Sequence, residues 1–165
     1  MPEKHRRYSL KEKEAKALLA KASERLGLDL IQFSKSKASF EIVESDSGEV
    51  FLINGKPFLF KAGDDVFPTL VFDQFLDSAP HVVVDMGAIP YVCKGANVMA
   101  PGIRRFDGNF RKGSLVVIVD EKHGKALALG EILYDSEEAK NVKQGPVVRN
   151  IHFVSDKIWN LIKTL

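Results

Sequence analysis

The chain has 165 residues, of which 45% are hydrophobic and 28% charged, and its formal net charge is +2. Those values place it among soluble globular proteins and leave room for one ordinary domain or two small ones. No apolar run approaches the roughly 18 to 20 residues that span a bilayer, and the N-terminal MPEKHRRYSLKEKEAK is charged where a secretory signal would be apolar, so a cytoplasmic location is expected. A single cysteine, Cys93, excludes an internal disulfide framework and a cysteine-cluster zinc site, and reads best as a small buried hydrophobe. His5, His81, His123 and His152 are scattered without metal-ligand spacing. Neither a metal nor a cofactor is expected.

The small net charge hides an asymmetry. Residues 1–37 hold ten Lys/Arg against five Asp/Glu, residues 38–85 two against nine, and residues 86–165 twelve against eight. An acidic middle between basic flanks fits polyanion binding by the flanks, and it fits solvated helix faces as well.

In chain order, SLKEKEAKALLAKASERLGLDL opens with Ser9 and Glu12 at capping-box spacing, which predicts a helix starting at Leu10. Ala15, Leu18, Leu19, Ala22 and Leu26 give it one apolar stripe, and Gly27 is its predicted stop. The period then changes. ASFEIVESD, EVFLING and KPFLFKAG read as three strands joined at Asp46-Ser47-Gly48 and Asn54-Gly55, a meander on which the helix can bury its stripe. PTLVFDQFL reads as a short helix with Pro68 in its first turn.

Ser78 to His81 is the expected boundary between two touching halves, 1–78 and 79–165. Beyond it, HVVVDMG, ANVMAPGI, SLVVIVDE, KALALGEILY and VVRNIHFV read as strands of a small closed or nearly closed barrel. AIPYVCKG supplies one or two helical turns and DSEEAKNV a brief helix. DKIWNLIKTL closes the chain as a helix, and its Ile158, Trp159, Leu161, Ile162 and Leu165 need a surface. The fold class is therefore α+β, and only a few N-terminal residues are expected to lack order.

The chemistry of catalysis finds little support. There is no phosphate-wrapping P-loop, no G-x-S-x-G elbow and no dinucleotide fingerprint. The pairs Asp64-Asp65 and Glu137-Glu138 are sequence neighbours that point in different directions, which does not give two carboxyls on one substrate. The stretch DMGAIPYVCKGANVMAPGI, from Asp85 to Ile103, is more telling: three glycines and two prolines stand among apolar residues with almost no charge. Such a segment offers a rigid, backbone-lined docking surface. Lys94 inside it, Arg104-Arg105 directly after it and Arg111-Lys112 beyond supply cations of the kind that grip phosphates.

VVVDMGAIPYVCKGANVMAPGI, GSLVVIV, ALALGEILYDSEEAK and NIHFVSDKIW occur in order and together resemble a PUA domain over roughly residues 79–165. FPTL, Phe67 to Leu70, shortly before VDMGAI, is similar to the malignant T-cell amplified sequence family of translation proteins, whose relatives include the first part of ligatin. The resemblance implies an archaeal-type protein in which a pre-PUA helix-on-meander half precedes a PUA-type β-pseudobarrel. It implies a non-catalytic RNA-binding role in initiation, reinitiation or recycling, on tRNA or rRNA, with the small ribosomal subunit and an initiation-factor-like protein as partners. Carried over by matching positions, Gly87 and Ala88 open the RNA-facing helix and Lys94 meets phosphate. Gly95 with Ala96 lets RNA approach the main chain, Asn97 is counted among the RNA-binding residues, and Val98 and Met99 present the strand beside it. Arg104 and Arg105 enter on charge alone. Two other readings stand beside this one: a protein-binding adaptor using the acidic Glu44, Asp46 and Glu49, and the recognition subunit of an RNA-modification system.

Overall fold

Residues 4–35 and 37–165 are described by the computed structural model, so the expectation for the extreme N-terminus lies mostly outside the described residues. The apolar stripe forms the helix it predicts, α1 (Glu12–Leu26), and buries Ala15, Leu19, Ala22 and Leu26. Gly27 ends it in the left-handed conformation at φ 69°, its amide donating to Ser23 O. The start differs from expectation. Ser9 belongs to a strand, β1 (His5–Ser9), and the residue flanking the helix is Lys11, with no side-chain cap. Strand pairing claims Ser9 because it lies opposite Glu41, and the next amide, that of Leu10, donates to Phe40 O at 2.9 Å. Glu12 stays in the first helical turn, where the exposed amides favour its charge.

β2 (Phe40–Ser45), β3 (Gly48–Ile53) and β4 (Lys56–Ala62) form the predicted meander, with Asn54 and Gly55 both at positive φ in the turn. Two strands extend it, β1 on one edge and β5 (Asp65–Pro68) on the other, in the order β1-β2-β3-β4-β5. Pro68 therefore ends a strand and does not begin a helix. It sits opposite Leu59 at the sheet edge, where its missing N–H costs nothing, and the helix α2 starts only at Asp73 and runs to Ser78. The acidic β2 is neutralised from β1: Arg7 meets Glu41 at 2.9 Å, and Arg6 meets Glu44 at 3.1 Å. The Arg7 hydrogen bond holds the Glu41 carboxyl below its ordinary value. The Tyr8 hydroxyl, with Arg6, does the same for Glu44.

The second sheet contains β6 (His81–Val84), β7 (Val98–Met99), β8 (Ile103–Asp107), β9 (Leu115–Asp120), β10 (Ala126–Ile132) and β11 (Pro146–Phe153). Its order is β7-β11-β10-β9-β6-β8, and the β6–β9 pair is parallel among antiparallel neighbours. ANVMAPGI is not one strand. It divides into β7, a 3-10 turn at Ala100–Gly102, and β8, where Arg105 pairs with Val83 and Phe106 with Val82. Gly102 thus lies in the turn ahead of β8, and the two arginines stand on a strand.

The apolar runs VVV and LVVIV are explained by burial on both faces. Val82, Val84, Val116 and Ile118 point into the barrel with Val92, Val98, Val147 and Val148. Val83, Leu115, Val117 and Val119 point the other way, into one core with α1, the first sheet and α5 (Lys157–Lys163). Ile158, Leu161 and Ile162 of α5 bury themselves in that same core, Ile158 over Gly48 of β3. Asp120 fixes the β9–β10 hairpin by accepting the amides of Lys122, His123 and Lys125, led by that of His123, and these bonds hold its carboxyl below the ordinary range against some desolvation.

His152 of β11 links the halves. Its ring is fully buried, Nδ1 lies 2.7 Å from Asp156 Oδ2, and Nε2 accepts the amide of Leu70 at 3.3 Å. Nδ1 therefore carries the proton. Asp156 also takes the amides of Phe153 and Trp159, capping α5. Burial raises its pKa, but the hydrogen bond of His152 together with those of the two amides outweighs burial, so the carboxyl sits below its ordinary value. A depressed carboxylate contributes stability above its unfolded pKa of about 4, and loses it as pH falls through the folded value. Asp156→Asn is therefore expected to flatten the acid limb of stability below about pH 4, measured by denaturant melts across pH.

Candidate nucleic-acid interface

Asp85 begins the site. Its Oδ1 accepts the Ala88 amide at 2.9 Å, which starts a 3-10 turn at Met86–Ala88, and its own amide donates to Gly102 O at 2.9 Å. One residue thus ties the two ends of the glycine-rich segment together. Pro90 fits the first turn of α3 (Ile89–Val92), where an amide is not needed. Pointing outward from that turn, Tyr91 is 69% exposed. The chain then reverses at Gly95, φ 97°, where an added Cβ would come within 3.0 Å of the Phe153 ring. Gly95 is thus required by the turn and the packing beneath it.

Between α3, β7 and the Ala100–Gly102 turn lies a groove of about 360 Å³ lined by Gly87, Ala88, Tyr91, Ala96, Met99 and Pro101, among others. Met99, 48% exposed, forms its second apolar wall. Asn97 holds the groove in shape: its Oδ1 accepts the Asn150 amide at 3.0 Å, while Asn150 Nδ2 donates to Val92 O and Ala96 O, each at 3.0 Å.

The structure gathers Gly87, Ala88, Ala96, Asn97 and Met99 around this groove, with Lys94 exposed just beyond α3. The roles expected of some of them change. Val98 also lines the groove, but its side chain is buried in the barrel, so it presents little beyond backbone. The amides of Lys94, Gly95 and Ala96 are already committed to Tyr91 O or Val92 O, so this turn offers shape and not hydrogen-bond donors. Arg104 and Arg105 are exposed on β8 and line a separate, neighbouring groove. They pair with Glu121 at 2.8 Å and Asp107 at 3.1 Å. Surface pairs of this kind contribute about 0–1 kcal/mol and exchange readily for another anion.

Tyr91 and Asp85 were not expected as site residues. For Tyr91 a signal existed: an aromatic directly after Pro90, on a turn too short to bury every side chain. Cys93 packs against the barrel core, and burial raises its thiol pKa, which disfavours the reactive thiolate. His81 Nε2 lies 2.7 Å from Leu76 O, a structural contact. Among the described residues no group of three or more His, Cys, Asp or Glu side chains is placed to hold a metal ion. A larger cleft of about 780 Å³ separates α1 from the loop at 109–114, and Arg25 borders it, reaching Glu131 and Gly113 O, each at 2.7 Å.

Residues 80–154 match the PUA domain model, and residues 6–72 match a domain of unknown function, DUF1947. A PUA domain structure from Aeropyrum pernix K1, solved as a tartrate complex, superposes with a TM-score of 0.79 at 27% identity, over 97% of this chain and 92% of that one. A hypothetical protein of Pyrococcus horikoshii OT3 gives a TM-score of 0.74 at 31% identity, over 95% and 99%. Sheet, groove and matches together define a PUA-domain protein with an α/β segment ahead of the barrel.

Translation machinery-associated protein 20 of Saccharomyces cerevisiae is 31% identical over 88% of this chain and 84% of its own length. An uncharacterized protein of Methanocaldococcus jannaschii is 38% identical over 94% and 96%. The chain belongs to the PUA-domain family that includes translation machinery-associated protein 20 and the malignant T-cell-amplified sequence proteins. The PUA domain points to RNA binding, and the named relatives point to a role associated with translation. Among the described residues no helix is long and apolar enough to cross a membrane.

Proposed function

We propose that this protein is a non-catalytic RNA-binding protein of the cytoplasm that holds tRNA or rRNA during initiation, reinitiation or recycling, in contact with the small ribosomal subunit. The observation that carries the reading is the groove in which Tyr91 and Met99 stand exposed on a framework tied down by Asp85 and Asn150. Exposed apolar side chains of this size gain by stacking on a base, and an aromatic–base stack contributes about 1–3 kcal/mol. Lys94, exposed at the end of α3, is placed to meet the adjoining phosphate.

The adaptor reading is weakened because Glu44, one of its three acidic residues, is taken up by Arg6 and Tyr8 within the sheet. Fluorescence anisotropy with bulk tRNA and with an unstructured oligoribonucleotide tests the proposal. Tyr91→Ala is expected to weaken binding about tenfold and Lys94→Glu by a similar factor. The Gly95 position is left intact because any side chain there disturbs the turn. Full affinity in both folded variants would remove the groove from RNA binding, and a new nucleoside formed in bulk tRNA would overturn the non-catalytic assignment.

A further inference from the structure

The second sheet begins at β7 and ends at β8, and the chain passes from one to the other through the single 3-10 turn at Ala100–Gly102. Where these end strands part, a second groove of about 480 Å³ opens. Ala100 and Val147 line one side, Ile103, Arg104, Arg105 and Phe106 the other, and the stretch Ala139–Lys143, at and beyond the helix α4 (Ser136–Ala139), brings Lys140, Val142 and Lys143 to it. Four basic side chains thus stand around an apolar floor, and among the described residues no acidic side chain lines the groove. Each local counterion is held weakly. Arg104 and Arg105 lean on Glu121 and Asp107 with more than half of each guanidinium side chain exposed, and Lys140 lies 3.6 Å from a nearly fully exposed Glu137. Pro101 lines both this groove and the one that holds Tyr91 and Met99.

We infer that this seam is a phosphodiester track, in which Arg104, Arg105, Lys140 and Lys143 carry the backbone of the RNA strand whose bases occupy the Tyr91/Met99 groove. The inference rests on the RNA-binding reading above and names a part of the path, the end of α4, that lies more than 30 residues away in sequence from the glycine-rich segment. Its chemistry is division of labour. The first groove is apolar and aromatic and suits bases, while the second is cationic over Ala, Val, Ile and Phe side chains and suits phosphates flanking the flat faces of sugars. Continuity through Pro101 and the lack of a carboxylate among the described residues that line the second groove favour a nucleic-acid chain over an acidic protein segment.

The test is a salt titration of affinity for a fluorescein-labelled, unstructured twelve-nucleotide RNA. Each phosphate neutralised contributes about 0.7 to the slope of log affinity against log salt for a single strand. Lys140→Ala with Lys143→Ala is expected to lower that slope by about 1.4 and to weaken binding about tenfold at low salt. Lys11→Ala with Lys13→Ala removes the same charge from the exposed start of α1 and is expected to leave the slope unchanged. An unchanged slope in the first double variant, with binding still sensitive to Tyr91→Ala, would overturn the track and leave the RNA reading intact. Equal losses in both double variants would reduce the effect to bulk charge and also overturn it. If the unaltered protein does not bind RNA, the functional reading itself falls. A polyglutamate peptide that binds more tightly than the RNA, and is lost with Lys140 and Lys143, would give the groove to an acidic protein segment.

Discussion

His152→Ala is expected to lower the unfolding free energy by about 3–5 kcal/mol, read from urea or guanidinium melts followed by Trp159 fluorescence. The magnitude has three sources. Removing a fully buried ring leaves a cavity against Phe60, whose ring centroid lies 4.9 Å from that of His152. The Leu70 amide loses its acceptor, and Asp156 loses its only side-chain donor among the described residues while still burdened by desolvation. His152→Leu separates these causes, since it keeps much of the volume and abolishes both hydrogen bonds, and should cost about 2–3 kcal/mol. A loss below about 1 kcal/mol in either variant would mean that the two ring bonds, to the Leu70 amide and to Asp156, contribute little.

Gly130→Ala is expected to cost about 3 kcal/mol, the upper end for overpacking, or to prevent folding in an unstabilised background. A Cβ built on Gly130 lies 2.2 Å from Val148 Cγ1, 2.9 Å from Arg149 O and 3.1 Å from Ile118 Cδ1. Two of these contacts are side chains that can turn; the carbonyl belongs to the neighbouring strand and cannot. Combining Gly130→Ala with Val148→Ala should recover part of the loss but not all of it, a non-additivity that a double-mutant cycle measures. Full additivity would show that Val148 is not the obstacle. The same positions explain the ladder, because the pairing of β10 with β11 shifts register between Leu129 and Gly130.

How much of this was readable beforehand depended on whether a residue's role is local. α1 declared itself because its stripe repeats along one element, and Asn54-Gly55 because a tight turn has its own chemistry. β1 did not, since all five of its side chains are exposed and its strand character comes only from pairing with β2, more than 30 residues away in sequence. The Ser9–Glu12 spacing therefore pointed to a cap that the sheet overrides. β8 was obscured in a similar way, for Arg104-Arg105 read only as cations following the docking segment until Val83 is placed opposite Arg105.

The site divides along the same line. Gly87, Pro90 and Gly95 marked the docking segment because each controls its own backbone. Tyr91 stands out only once α3 turns it outward, and Lys140 and Lys143 come beside Arg104 and Arg105 only through the parting of β7 and β8. Val98 went the opposite way: alternation along β7 sent its side chain inward and left Met99 to face solvent.

β9 is a party wall. Val116 and Ile118 furnish the room on one side, whose outer surface carries the Tyr91/Met99 groove, while Leu115, Val117 and Val119 furnish the room shared with α1 and α5. Moving a substitution by a single position along this strand therefore changes which room it disturbs. A slip of one residue against β10 would exchange the furnishings of both at once, so the hairpin held by Asp120 guards two cores with one carboxylate.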